Sequence, residues 1–162
     1  MITKIDIKRL YEWATNTQFP LKKEGITSKY MGYEILICYL KYGKKNIFYP
    51  HKSISESIID IINKPEIFSL AYIQYPPKLE AKPHIDYNPY GKKFTRIQLP
   101  IKIPKGRSCF IEWIDTGKKV YWERGKPEIF DVEKLHRGEN NSNEIMTFLS
   151  MLTNSVALFP PF

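Results

Sequence analysis

The chain reads as helices first and an antiparallel β core after them, and three observations predict this. Apolar residues recur at helical spacing in the first third, at Ile5 to Ala14 and again at Ile54, Ile58, Ile61 and Ile62. Beyond Pro65 the pattern changes to short apolar stretches broken by Pro, Gly and Asn. Strands at such regular spacing are the mark of a sandwich, barrel or jelly roll. The 162 residues, 43% hydrophobic and 26% charged, have the size and composition of one soluble domain, which excludes collagen, coiled coil and disorder.

In order along the chain, Ile5 to Ala14 is an amphipathic helix and Tyr33 to Leu40 a strand. Ser53-Ile-Ser-Glu56 has the spacing of a capping box, and Pro65 ends the helix that follows. Strands are then expected at Phe68 to Tyr75, Phe94 to Ile103, Cys109 to Asp115, Lys118 to Glu123, Pro127 to Asp131 and Glu144 to Thr153. Their breaks are Pro76-Pro77, Asn88-Pro89, Pro104-Lys-Gly106, Thr116-Gly117 and Arg124-Gly125. Residues 1-65 thus form an N-terminal support, 66-154 the β core and 155-162 an apolar, proline-containing tail that packs back on the domain or meets a second copy. The apolar runs Tyr33 to Leu40 and Ser57 to Asn63 fall short of the ~20 residues of a membrane helix. MITKIDIKRLYEW has neither the apolar core nor the cleavage site of a signal peptide. With Cys38 and Cys109 read as reduced thiols, the expected compartment is the cytoplasm.

Net charge is +8, which suits an acidic partner or nucleic acid, but the lysines run through both halves and read as a solvated surface. Of 25 lysines and arginines only five are arginine: Arg9, Arg96, Arg107, Arg124 and Arg137. There are three histidines. His51 reads as a loop residue. His84-Ile-Asp86 follows the first core strand, and alternation turns its imidazole and carboxylate to the same side of an extended segment. His136 follows the strand that ends at Asp131. Two imidazoles and a carboxylate on one face of an octahedron leave three positions open, the arrangement of non-haem Fe(II) oxygenases. A His-x-Asp tripeptide is common by chance, so its context must carry the assignment.

Four strand-like segments separate Asp86 from His136, and an ordered series accompanies them: Pro83-His84, Arg96 to Gly106, Trp122-Glu-Arg-Gly125, Ile129-Phe-Asp131, His136 and Asn140. On these residues the chain resembles the Fe(II)/2-oxoglutarate-dependent oxygenases, most closely the aspartyl/asparaginyl β-hydroxylase branch, over roughly residues 68 to 153. The resemblance implies a double-stranded β-helix core, a cupin-like jelly roll in which the second and seventh strands bring the metal ligands together. It implies His84, Asp86 and His136 as ligands of Fe(II), and Arg96 and Gln98 as contacts of 2-oxoglutarate, with O2 as the other co-substrate. The branch often lacks the middle carboxylate, so Asp86 is closer to the wider superfamily. Arg96 and Gln98 share one strand face while Ile97, Leu99 and Ile101 share the other.

One position departs from the pattern. Relatives carry an arginine or lysine ten residues after the distal histidine to hold the far carboxylate of 2-oxoglutarate, and here Met146 stands there. Arg96 then does the whole task, or Arg107 or Arg137 substitutes, or the co-substrate is a different one. The implied activity is hydroxylation of a peptide, amino acid or small polar molecule. The alternatives are a nucleic-acid-modifying oxygenase of the same fold, against which stands the lack of a second arginine-rich signature after His136, and a metal-binding β-helix module without oxygenase activity. Asp131 is read as fixing the turn before His136 or supporting the metal site. Trp113 and Trp122 are read as core or rim aromatics, Tyr72, Gln74 and Tyr75 as core, rim or pocket residues. Tyr87 to Lys93 is a loop over the substrate or a plain connection.

Overall fold

A computed structural model describes residues 2–19, 26–30, 33–44, 54–86, 94–131 and 133–154. His51, Ser53, the 87–93 segment and the 155–162 tail lie outside the described residues, as does the side chain of Asp131. Helix α1 (Lys4–Asn16) and helix α2 (Glu56–Ile62) pack on one side of a β structure of ten strands among the described residues. The strands are β1 (Ile26–Tyr30), β2 (Tyr33–Tyr42), β3 (Ile67–Tyr75), β4 (Leu79–Glu80), β5 (Thr95–Lys102), β6 (Cys109–Trp113), β7 (Lys118–Tyr121), β8 (Glu128–Asp131), β9 (His136–Asn140) and β10 (Met146–Thr153).

The strands from β3 onward wind into two facing sheets. One has the order β1-β2-β3-β10-β5-β8 and the other β4-β9-β6-β7, all neighbours antiparallel. Following the chain from β3, the path crosses between sheets at nearly every connection, which is the double-stranded β-helix. β4 and β9 are its second and seventh strands, and β1 and β2 extend its larger sheet at one edge.

Each face of the larger sheet has its own partner. Leu36, Cys38, Leu40, Leu70, Tyr72, Ile97, Leu99, Ile101, Leu149 and Met151 point outward and pack with Ile7, Leu10 and Ala14 of α1 and Ile58, Ile61 and Ile62 of α2. Each such fully buried aliphatic side chain contributes roughly 1.5–3 kcal/mol by leaving water. The opposite face looks into the β-helix, where Met146, Phe148, Phe130, Ile111, Trp122 and Cys109 form a second core. Cys38 and Cys109 are both buried free thiols.

Three strands escape the sequence pattern: β1, β4 and β9. β4 has two residues and β9 reads HRGEN, so pairing, not composition, makes them strands. The expected capping box at Ser53 is replaced by an N-cap at Ser55, with Glu56 already helical and no side-chain cap bond. A capping box occurs at α1 instead: Asp6 N–H donates to Thr3 Oγ1 at 3.1 Å while Thr3 N–H donates to Asp6 Oδ2 at 2.6 Å. α2 is held by Lys41, which is buried and whose ammonium donates to the carbonyls of Ile62 (2.9 Å) and Lys64 (3.0 Å) at the helix C-terminal end.

Asp6 joins the two helices, because Lys64 Nζ lies 2.6 Å from its Oδ2. Burial raises the Asp6 carboxyl, but the Lys64 ammonium and the Thr3 bonds outweigh it and hold its pKa below the ordinary value. A depressed folded-state pKa gives stability that is full above the unfolded value of about 3.9 and disappears as pH falls through the folded one. Asp6→Ala is therefore expected to lose roughly 2 kcal/mol in denaturant unfolding at pH 7, from the cap and the charge-assisted bond. Repeated at falling pH below about 4, the gap from wild type should narrow.

Candidate metal centre

The site begins with backbone pairing. His84 and His136 form an isolated antiparallel bridge, N–H to carbonyl at 2.9 Å in both directions. This brings the segment after β4 against the start of β9 and sets the two imidazoles with ring centroids 4.7 Å apart. In both histidines Nδ1 lies 2.7 Å from the carbonyl oxygen two residues earlier, Lys82 for His84 and Lys134 for His136. A carbonyl only accepts, so Nδ1 is the donor in each ring and Nε2 is the nitrogen turned toward a ligand. Both Nε2 atoms face Asp86: His84 Nε2 is 3.8 Å from Oδ1 and His136 Nε2 is 3.9 Å from Oδ2. One nitrogen or oxygen from each of the three residues falls within 4.8 Å of the others. The two separations to Asp86 exceed a hydrogen bond yet stay below twice the ~2.1 Å of a metal–ligand contact. The donor set therefore fits a divalent ion: two imidazoles fixed from behind and one carboxylate.

His136 is buried, with Trp113 at 5.6 Å and Phe130 at 5.3 Å between ring centroids. Burial lowers its pKa, against smaller opposing effects from the Lys134 carbonyl and Asp86, and so favours the neutral form that can ligate. Behind Trp113 and Phe130 opens a cavity of about 540 Å³ that also reaches Lys118, Ile129 and Lys134.

On β5, Arg96 and Gln98 face the interior while Ile97, Leu99 and Ile101 face the helices, as alternation predicts. Arg96 Nε donates to Asp86 Oδ2 at 2.9 Å and Nη1 donates to Ser150 Oγ at 2.7 Å. Gln98 is buried with its Oε1 unpartnered among the described residues, as is the indole N–H of Trp122. The guanidinium of Arg96 is the donor on this face that suits the carboxylate of a 2-oxo acid, while the unpartnered Gln98 atom is itself an acceptor and pairs with such oxygens only with the amide turned. Met146 is fully buried in the inner core and provides no charge.

The two substitutes for the missing clamp are elsewhere. Arg137 alternates with His136 on β9 and points out of the β-helix, held by Glu112 and Glu80 at 2.7 Å each. Arg107 lies over the ring of Tyr121 at 4.8 Å. Neither reaches the interior. The β3 residues divide as well: Tyr72 packs outward against the helices and Gln74 bonds to it, while Tyr75 packs inward on Phe148 and Trp122. A Cβ at Gly138 would come within 3.3 Å of Trp122 and 3.5 Å of Tyr75, so β9 carries glycine where these rings press on it. Asn140, fully buried, donates to the carbonyls of Pro76 and Glu144 at 2.9 Å and ties the far end of the barrel. Trp122 is core, and Trp113 borders the site. Sequence reasoning missed Ser150 and the two carbonyls behind the imidazoles. Nothing in the sequence marks Ser150, 54 residues from the arginine it holds.

No family model matches the chain, and no curated protein matches it. Solved structures do. A 2OG-Fe(II) oxygenase family oxidoreductase from Burkholderia pseudomallei aligns with TM-score 0.62 and 10% identity over 95% of this chain and 81% of its own. A viral collagen prolyl hydroxylase from Paramecium Bursaria Chlorella virus-1, solved with 2OG, aligns with TM-score 0.55 and 13% identity over 96% and 92%. A predicted oxalate decarboxylase from Thermotoga maritima aligns with TM-score 0.51 and 15% identity over 85% and 100%. At such identities the likeness is one of fold: the chain has the β-helix that these oxygenases and the decarboxylase use. No described helix is long and apolar enough to cross a membrane.

The two histidines differ in burial, and this is measurable. His136→Ala should cost roughly 2–3 kcal/mol in urea unfolding, because it opens a cavity between Trp113 and Phe130. His84→Ala, at a partly exposed position, should cost under about 1 kcal/mol.

Proposed function

We propose that this protein is an Fe(II)- and 2-oxoglutarate-dependent dioxygenase that hydroxylates a peptide, amino acid or small polar substrate. In this reading His84, Asp86 and His136 hold the metal, and Arg96 and Gln98 meet the co-substrate. One observation carries it: both imidazoles are locked from behind through Nδ1, so that both Nε2 lone pairs meet the same carboxylate. The ordered resemblance to the aspartyl/asparaginyl β-hydroxylase branch supports it, and so does the fold shared with structures titled as oxygenases. A reducing compartment, the cytoplasm, suits the two buried thiols.

Fe(II) with 2-oxoglutarate supplies O2 activation coupled to oxidative decarboxylation, leaving succinate, CO2 and a hydroxylated product. The chain's own part is to bind, orient and exclude water. The Lys82 and Lys134 carbonyls fix the ring planes. Trp113 and Phe130 keep bulk water from the His136 side. Phe148, Tyr75 and Ile111 form a dry wall deeper in the barrel. Arg96 provides the cationic donor on the inner face for a carboxylate.

A second reading follows from Met146: a metal-binding β-helix without oxidation chemistry, since a thioether offers no charge to the far carboxylate. One experiment separates the two. Anaerobic addition of Fe(II) and then 2-oxoglutarate to the oxygenase should produce a weak visible charge-transfer band, lost in His84→Ala and His136→Ala, and air should then convert 2-oxoglutarate to succinate. Metal binding without band or succinate supports the module and sinks the oxygenase.

A further inference from the structure

We infer that Arg96 is a positioning residue for Asp86: its guanidinium holds the carboxylate where the two imidazoles can share a cation with it. This rests on the metal reading above and changes the role of Arg96 within it, from a co-substrate contact alone to a part of the metal site's own construction.

Asp86 needs such support. His84 is fixed by its backbone bridge to β9 and by the Lys82 carbonyl, and His136 by β9 itself and the Lys134 carbonyl. Asp86 lies two residues past the bridge, in no strand, with no backbone ladder of its own. Arg96 is the one base of the described residues bonded to it, through Nε at 2.9 Å. The guanidinium is anchored in turn by Ser150 on β10, at 2.7 Å from Nη1. Asp86 is thereby attached to two adjacent strands of the larger sheet, β5 and β10, across the barrel from the histidines. The other four arginines cannot take this place. Arg137 and Arg107 lie on other surfaces, Arg124 donates to Tyr11 Oη at 2.9 Å, and Arg9 lines a groove between α1 and α2.

The fork geometry matters to the chemistry. A carboxylate has about four lone-pair positions, and Arg96 occupies one on Oδ2 and leaves positions on both oxygens for a metal. Nη2 has no partner among the described residues. The same guanidinium can therefore receive an anionic ligand in the barrel while it holds Asp86, so that metal and co-substrate binding both depend on one side chain. A lysine in this place would bring the charge but not the three directions.

Mn(II) alone, without 2-oxoglutarate, tests this by titration calorimetry on the purified chain. Loss of a group that orients a metal ligand typically lowers affinity 10–100-fold, and Arg96→Ala is expected in that range. Arg96→Lys should recover part of the loss, and Ser150→Ala, which frees only the anchor, should lose several-fold; these two carry the test if Arg96→Ala does not fold. If wild type binds Mn(II) and all folded variants bind it within twofold of wild type, Arg96 does not hold Asp86 and the inference fails while the metal reading stands. If wild type binds no Mn(II), both fail. A residue that merely clamps 2-oxoglutarate would leave Mn(II) affinity where it is.

Discussion

The two-way hydrogen bond between the backbones of His84 and His136 is the contact on which the site depends. It joins the end of the second β-helix strand to the start of the seventh, fifty-two residues along the chain, and is made by peptide groups, so the choice of side chain there is free. Histidine at both positions turns that freedom into a pair of imidazoles at fixed separation. Each ring is then secured by a carbonyl of its own local segment, which costs no further long-range contact. With both rings set by the backbone, the Asp86 carboxylate is the member of the cluster whose place depends on side chains.

The electrostatics of the interior follow from a shortage of charge. Both cores are apolar, and inside the barrel the ionic groups gather at one end, Asp86 with Arg96. Elsewhere the arginines serve the surface: Arg137 binds two glutamates on the outside of β9, and Arg107 rests on Tyr121. The pair is partly exposed, so water screens it and the hydrogen bond between the two side chains matters more than the bare charge.

Much of this was legible in the residues. The 3.6-residue and two-residue periodicities marked α1, most of α2 and the long strands β2, β3, β5 and β10, because each buries a continuous apolar face. The same alternation placed Arg96 and Gln98 together and away from Ile97. β4 and β9 were not legible, since HRGEN has no apolar face and becomes a strand only between β4 and β6. The cap of α2 falls at Ser55, because two serines of equal capping propensity lie two positions apart and local propensity does not distinguish them. Tyr72 and Tyr75 look alike in sequence, yet one faces the helices and the other the barrel.

By itself, then, the sequence determined the β class and the order of the two helices and of seven of the ten described strands, because composition and periodicity are local properties of the chain. The tertiary structure decided which arginine of five enters the site, that Arg96 bonds to Asp86 and Ser150, and that Arg107 and Arg137 do not reach the interior. Those outcomes depend on register and on which face of a strand meets the barrel, and a shift of one residue reverses both.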